Sequence, residues 1–569
     1  MSVTDLAHDT FLDRMMASVR QFVQTIVVLD DEADYGPSPI NATLDVSVVE
    51  PPTGDIHTVD ETTATPSTES TNRKEGSLDA EKLIDHAAKC GIVCAVLKAK
   101  AENEKDPVLL AAKNADILIL DWEMCNSAEK NDSGVRAKNV IRDLFDEDER
   151  VGGRLRFICI YTQEIDLKDC SKHVLERLGE SSDQFTGYMD ARKEDFRLKE
   201  LTVVFVRKKE YSEDRLIEEL LKRYEKTVHG LLPRVVLESV AAVREKTHAL
   251  LSRYSSELDG AYLAHRALLN GSADAEQFIA DLVADDMRGI LEAYNVGANT
   301  VDFATVESFV EQSPLPFRLR RFHEKDSPCP TCKKHEEQQQ SCDHVLFDVC
   351  FLNILDPEQP KEGVPESSDQ DRKQGFNPCK NVYPVNYPSC QKAESYLRQF
   401  SSYSSLKRGL DHQSLTPEDW GPIINTGTIL QHQSNKEFLL CVQPSCDCLR
   451  IKKDKADFLF LTLSTKRQES DRPCIALRGM DGQYVLMSFA PTPHHLRIIN
   501  FRNSICSIRK LIISQKNGES FEFTASDGQK YHWIGDMREG QIRRIIQRLF
   551  ENLSRIGLDE FEWLRMMSR

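Results

Sequence analysis

Five short apolar segments, separated by polar or helical sequence, constrain the fold of this chain more than any other feature. They read TIVVLDD, GIVCAVLKA, ADILILDWE, RLRFICIYTQE and LTVVFVRKKE, and all of them lie within residues 20–210. Nearly continuous apolar strands that alternate with helices are typical of a parallel sheet covered on both faces. The sequence therefore predicts an α/β doubly wound domain with a parallel five-stranded sheet at 21–210.

The flanking sequence and one internal segment differ from this pattern. Helical spacing of apolar residues predicts an N-terminal helix within residues 1–20. The segment 35–76 is rich in Thr, Ser, Pro and Glu and contains no Phe or Trp. It buries too little apolar surface to offset the entropy of ordering, so we expect a disordered insertion there.

Beyond the sheet, three further segments are distinguished by their patterning. Apolar residues at helical spacing predict a helical connector at 211–312. An irregular Cys-containing region follows at 313–422. Strand-like runs separated by Asp-Gly and Asn-Gly dipeptides, with a final amphipathic helix, predict a C-terminal α+β domain at 423–569.

The charge balance limits the classes of partner. The 569-residue chain has 73 Lys and Arg against 91 Asp and Glu, a net charge of −18. General nucleic-acid binding is not expected, because phosphate neutralisation requires clustered Lys and Arg. No apolar run is long enough to span a membrane, and the N-terminus lacks the pattern of a secretory signal. We therefore expect a cytoplasmic protein with reduced cysteines and no membrane or nucleic-acid partner.

Polar residues at the ends of four predicted strands carry the expected chemistry. Asp30 and Asp31 end the first strand, Asp121 the third, Thr162 the fourth and Lys208 the fifth. In open α/β sheets ligands bind at the carboxyl ends of the strands. Clustered carboxylates favour a hard cation such as Mg²⁺, and one carboxylate can act as a nucleophile toward a phosphoryl group. The sequence thus predicts a phosphoryl-accepting site with a Mg²⁺ cofactor.

This pattern resembles the receiver domain of two-component response regulators. The resemblance is carried by VVLDDE, LILDWE, IYTQE and VFVRKK, and it covers residues 21–225. It implies a flavodoxin-like fold in which Asp121 accepts a phosphoryl group from a phosphohistidine on a sensor histidine kinase. It also implies that Thr162 and Lys208 contact the bound phosphoryl group.

The same resemblance implies the metal ligands. Mg²⁺ would be held by Asp30, Asp31, Asp121 and the main-chain carbonyl of Glu123. Three features depart from the usual receiver: the insertion at 35–76, a long segment between the fourth and fifth strands, and Lys-Lys-Glu where Lys-Pro is usual. The last departure leaves open whether Lys208 or the adjacent lysine takes the role.

The irregular region at 313–422 contains a second candidate metal site. Cys329, Cys332, Cys342 and His344 have the spacing of a tetrahedral Zn²⁺ site. The alternative is a set of free thiols in a polar loop. Cys379 and Cys390 are further candidate ligands.

The C-terminal half contains no phosphate loop, GxSxG elbow or HExxH motif. We therefore expect no enzymatic activity beyond phosphorylation and dephosphorylation at Asp121. The overall architecture is similar to the atypical receivers of bacterial antiphage operons, in particular the effector-less response regulators of Detocs systems. That resemblance implies a phosphate sink or adaptor, with a second receiver-bearing effector protein as partner.

Two alternatives stay open for the function of the whole chain. In the first, the C-terminal half is a zinc- or cysteine-dependent hydrolase gated by the receiver, for which Cys441, Cys446 and Cys448 are also considered. In the second, the protein is an interaction scaffold that acts without phosphorylation. The helical segment is in addition compatible with a homodimer.

Overall fold

A computed structural model shows that the chain forms two units, Met1–Ala241 and Ala242–Arg569. The structure describes residues 10–35, 77–98, 105–124, 134–268, 272–312, 318–322, 345–350, 382–384, 390–410, 415–417, 420–449, 451, 455–465, 475–489, 492–502, 512–517 and 520–553. The predicted insertion therefore lies, apart from its first residue, outside the described residues. The predicted domain boundaries stay predictions.

The first unit alternates strands and helices. Its strands are β1 (Thr25–Leu29), β2 (Val93–Leu97), β3 (Ile117–Leu120), β4 (Arg156–Thr162), β5 (Phe196–Leu198) and β6 (Leu201–Arg207). Its helices are α1 (Phe11–Phe22), α2 (Ala80–Lys89), α3 (Lys105–Asn114), α4 (Val135–Arg150), α5 (Leu167–Leu178), α6 (Glu213–Val228) and the first part of α7 (Leu231–Arg253).

The strands form one sheet in the order β2-β1-β3-β4-β6-β5. The first five of these run parallel, and β5 pairs antiparallel with β6 at the edge. The parallel order fits a flavodoxin-like fold. The prediction of a five-stranded parallel sheet was wrong in one respect, since a sixth, antiparallel strand is present. This strand has only three residues and follows a tight turn, so it leaves no apolar run in the sequence.

Continuous apolar strands bury both faces of this sheet. β4 is buried along its whole length, and β3 is buried at all four positions. One face packs Leu29, Leu120, Ile160 and Phe205 against residues of α4 and α5 in a single core cluster. Burial of an aliphatic or aromatic side chain contributes about 1.5–3 kcal/mol, so these strands account for much of the stability of the unit.

Helix α1 begins with a capping box. The Thr10 hydroxyl accepts a hydrogen bond from the backbone N–H of Asp13 at 3.2 Å, and the Asp13 carboxylate accepts one from the N–H of Thr10 at 3.1 Å. The helix packs on α6, and its buried Ser18 donates to Glu238 of α7 at 2.6 Å. Arg234 forms an ion pair with the same carboxylate at 3.0 Å. Polar contacts therefore join α1 to the start of α7.

Two charge clusters hold helices against the sheet. Arg156 at the start of β4 forms two hydrogen bonds with Asp148 of α4, at 2.8 and 2.7 Å, and a third with the carbonyl of Ala112. Near the edge, Asp195 pairs with Arg223 of α6 at 2.9 Å and accepts the N–H of Phe205 at 2.9 Å. Both clusters are largely buried, so each charge depends on its partner.

The second unit contains helices followed by an antiparallel sheet. Its helices are the remainder of α7, α8 (Asp259–Leu268), α9 (Ser272–Ala293), α10 (Val296–Thr300), α11 (Phe303–Gln312), α12 (Cys390–Ser405), α13 (Ser445–Leu449) and α14 (Glu539–Leu553). Its strands are β7 (Arg318–Phe322), β8 (Val345–Cys350), β9 (Val382–Pro384), β10 (Leu406–Gly409), β11 (Thr428–His432), β12 (Phe438–Cys441), β13 (Lys455–Leu463), β14 (Ile475–Arg478), β15 (Tyr484–Met487), β16 (Leu496–Arg502), β17 (Gln515–Asn517), β18 (Ser520–Thr524) and β19 (Lys530–Met537).

Eight of these strands form one sheet, ordered β16-β13-β12-β11-β19-β18-β17 with β10 paired to β19. The two faces belong to separate core clusters. One cluster includes Trp533 and Phe501, and the other includes Ile534 together with Ile542 and Ile545 of α14. Helix α14 thus covers one face of the sheet with its apolar side.

In the part of the chain that the structure describes, no helix is both long and apolar enough to cross a membrane.

Candidate functional site

Backbone hydrogen bonds join neighbouring strands of the first unit at their carboxyl ends. The N–H of Asp30 donates to the carbonyl of Leu97, at 3.1 Å, and the N–H of Asp121 donates to that of Leu29, at 3.0 Å. These bonds continue the β1–β2 and β1–β3 ladders one residue past the strands. The two aspartates therefore lie at the same edge of the sheet.

Lys208 makes the central contact of the site. Its Nζ lies 3.0 Å from Oδ2 of Asp30 and 3.2 Å from Oδ1 of Asp121. All three side chains are at most 9% exposed. One ammonium group therefore contacts two carboxylates that follow different strands and are shielded from water.

Asp31 completes a cluster of three carboxylates. One oxygen each from Asp30, Asp31 and Asp121 can be chosen so that all three lie within 4.8 Å of one another. Asp31 is half-buried. Asp30 also accepts the N–H of Glu32 at 2.8 Å, which turns the chain immediately after β1.

The cluster fits a divalent cation. Neighbouring ligands in an octahedral Mg²⁺ site lie about 3 Å apart and opposite ones about 4 Å apart, because each Mg–O distance is about 2.0–2.1 Å. The three oxygens lie within 4.8 Å of one another, so they would move closer together to bind the ion. Hard oxygen ligands are also those that Mg²⁺ prefers, so Asp30, Asp31 and Asp121 could hold this ion.

Burial and charge shift the titration of two groups in the site. Burial raises the pKa of Asp121 to about 6; Lys208 opposes the shift, and Asp30 and Asp31 add to it. Burial lowers the pKa of Lys208, but the carboxylates of Asp121 and Asp30 outweigh it and raise the pKa above its ordinary value. Lys208 is therefore a firmly charged cation at neutral pH.

Thr162 lies at the end of β4 and is completely buried. Its carbonyl accepts the N–H of Lys208 at 2.8 Å, and its hydroxyl accepts the N–H of Glu164 at 3.1 Å. The backbone thus holds Thr162 beside Lys208. Its predicted contact with a phosphoryl group stays a prediction, as does the role of the Glu123 carbonyl.

The structure distinguishes the two adjacent lysines. Lys208 points into the carboxylate cluster, whereas Lys209 is exposed. The geometry therefore favours Lys208, a choice that the sequence leaves open. By contrast, Cys329, Cys332, Cys342 and His344 lie outside the described residues, so the zinc prediction is not tested.

Two aromatic residues beside the site were not singled out as site residues from the sequence. Tyr161 is buried, donates its hydroxyl hydrogen to the carbonyl of Tyr211 at 2.7 Å, and has its ring 5.6 Å from Lys208 Nζ. A cation over an aromatic face is attracted to it. The sequence indicates the position of Tyr161 near the site, because this residue directly precedes Thr162 in IYTQE.

Trp122, which follows Asp121, is also buried. A Cβ atom added to Gly134 would lie 2.3 Å from its indole ring, and Gly134 has a φ of +69°. Lys138 on α4 places its Nζ 5.9 Å from the same ring. The start of α4 is thereby packed directly on the residue next to Asp121.

Comparison with known families agrees with this geometry. The family model described as the response receiver domain matches residues 22–213. No curated protein and no solved structure matches the chain. The match covers about a third of the chain and coincides with the flavodoxin-like unit. It supports a receiver domain in this segment, with phosphoryl acceptance in a two-component system and a phosphodonor partner such as a histidine kinase.

Proposed function

We propose that this protein is a response regulator that accepts a phosphoryl group on Asp121 from the phosphohistidine of a sensor histidine kinase. One observation carries the proposal most directly. Lys208 contacts Asp30 and Asp121 at the carboxyl edge of a sheet that matches the response receiver domain. Three carboxylates and one ammonium in this position are suited to phosphoryl transfer, which depends on positioning and charge.

The proposed transfer uses the Asp121 carboxylate as the nucleophile. An oxygen of Asp121 forms the new P–O bond as the P–N bond to the donor histidine breaks, and the leaving imidazole takes a proton from water. Lys208, held 3.2 Å from Asp121, stays close enough to pair with an oxygen of the transferred group. Thr162 would donate its hydroxyl hydrogen to another oxygen. Mg²⁺ bound by Asp30, Asp31 and Asp121 would supply positive charge to the phosphoryl oxygens.

Labelling of the full chain tests this assignment. Incubation with radiolabelled acetyl phosphate and Mg²⁺ should give an acid-stable label that hydroxylamine removes, as expected of an acyl phosphate. Asp121→Asn should abolish the label. Asp169→Asn, at an exposed position on α5, is the matched control and should label like the wild type. Persistent label in Asp121→Asn contradicts the proposal and favours another acceptor.

For the biological role we propose a phosphate sink or adaptor, in the setting of bacterial antiphage defence. This rests on the absence of a recognisable effector motif in the sequence and on the resemblance of the overall architecture. The expected partner is a second receiver-bearing effector protein that shares the same kinase. Reconstitution of the kinase with both receivers should show that adding this protein lowers phosphorylation of the effector, and that Asp121→Asn does not.

A further inference from the structure

A cavity of about 210 Å³ opens beside α14 in the second unit. Its walls include Ile475 of β14, Phe489, Met537 at the end of β19 and Ile545 of α14. An apolar cavity of about 150 Å³ is large enough to bind benzene, so this one has room for a group the size of one ring. The lining is mixed, and its apolar part favours a group that leaves water on binding.

The rest of the lining is polar and carries positive charge. Arg544 and Arg548 lie one turn apart on α14, and Gln541 precedes them on the same side of the helix. Ser405, at the end of α12, also lines the cavity. None of the described residues that line the cavity is acidic.

The two arginines differ from their neighbour on the helix. Arg543 forms an ion pair with Glu539, one turn earlier. Within the part of the chain that the structure describes, Arg544 and Arg548 form neither an ion pair nor a side-chain hydrogen bond. Like charges four residues apart on a helix repel each other. An anion placed between them would remove that repulsion.

We propose that this cavity binds a small amphipathic organic anion. The apolar part of the ligand, about one ring in size, would lie in the cavity beside Phe489, with Ile475, Met537 and Ile545 beneath it. Its phosphate or carboxylate head would remain at the opening and accept hydrogen bonds from Arg544 and Arg548. Guanidinium groups form paired hydrogen bonds with both kinds of head group, so either chemistry fits. The proposal is independent of the function assigned to Asp121.

Calorimetric titration of the full chain tests the proposal with defined probes. Phenyl phosphate and benzoate represent the two head groups on one ring, inorganic phosphate represents the head alone, and benzyl alcohol represents the ring alone. We expect at least one of the two ring-bearing anions to bind about tenfold or more tightly than inorganic phosphate or benzyl alcohol. The stronger of the two identifies the preferred head group.

Substitution of the arginines tests the assigned contacts. Arg544→Gln combined with Arg548→Gln should weaken binding by about tenfold or more, because a hydrogen bond to a charged group contributes at least that much. Both side chains are exposed, so the fold should persist, and circular dichroism verifies it. Arg543→Gln is the matched control and should bind like the wild type.

Three results would each overturn the proposal: no binding of either anion at millimolar concentration, equal binding of benzyl alcohol, or unchanged affinity in the folded double variant.

Discussion

Asp121→Asn should increase the stability of the first unit when no divalent cation is present. In the wild type, Asp121 is buried close to Asp30 and Asp31, and Lys208 only partly offsets the cost of that burial. The amide of asparagine is neutral and similar in shape. The substitution therefore removes a buried charge while it leaves Lys208 paired with Asp30, at 3.0 Å.

The expected magnitude follows from the pKa of Asp121. It is about 6 in the folded protein against an ordinary value of 3.8. Each pH unit of difference corresponds to about 1.4 kcal/mol, so the ionised carboxylate costs about 3 kcal/mol. The folded state binds the proton more tightly, so stability falls as the pH rises from about 4 through 6. Asp121→Asn should stabilise the unit by about 3 kcal/mol at pH 8 and hardly at all below pH 4.

Hydrogen exchange measured by mass spectrometry on the full chain in EDTA provides the assay, because peptides from β1 and β3 report the opening of the first unit alone. Asp169→Asn, an exposed control, should change the free energy of opening by less than about 0.5 kcal/mol. Mg²⁺ at ten times its dissociation constant should stabilise the wild type by about 1.4 kcal/mol and the Asp121→Asn variant by less. The reasoning would be refuted if Asp121→Asn were no more stable than the wild type at pH 8. It would also be refuted if the substitution stabilised the unit equally at pH 8 and below pH 4.

Substitutions at three further positions test the structure of the first unit, each by urea unfolding of the full chain. Arg156→Met leaves Asp148 buried without its cation, so we expect the free energy of unfolding to fall by about 3–5 kcal/mol. An unchanged or higher free energy of unfolding would contradict this expectation. Gly134→Ala brings a methyl group into the Trp122 ring at a positive φ, which should cost about 1–3 kcal/mol and change the Trp122 fluorescence. Thr10→Ser should keep the capping box of α1, whereas Thr10→Ala should lower the free energy of unfolding by about 1 kcal/mol. Equal stability of these two variants would argue against a stabilising role of the cap.

The parallel part of the fold could be predicted because its strands are buried on both faces. Such strands appear in the sequence as continuous apolar runs, and their last residues mark the edge where ligands bind. That is why Asp30, Asp121 and Lys208 could be named in advance and are found in contact. The choice between Lys208 and Lys209 needed coordinates, because both follow the same strand.

Other features depend on tertiary contacts that leave no local pattern. Strand β5 has three residues, only one of them fully buried, and the side chain of Asp195 just before it contacts Arg223, which is distant in the sequence. The contact between Trp122 and Gly134 joins residues that are separated along the chain by a segment of no regular apolar spacing. The cavity beside α14 likewise combines Ser405, Ile475 and Arg548, which no sequence motif connects.

The short antiparallel strand β5 has a consequence for the behaviour of the protein at high concentration. Without it, the seven-residue strand β6 would present a long row of unpaired N–H and C=O groups, which is a template for strand addition by another molecule. With it, Leu201, Thr202 and Val203 of β6 are paired, and the outer side of β5 is itself covered, because the N–H of Arg197 donates to the carbonyl of Gly187 at 2.9 Å. This border of the sheet is therefore protected against the intermolecular β pairing that precedes aggregation.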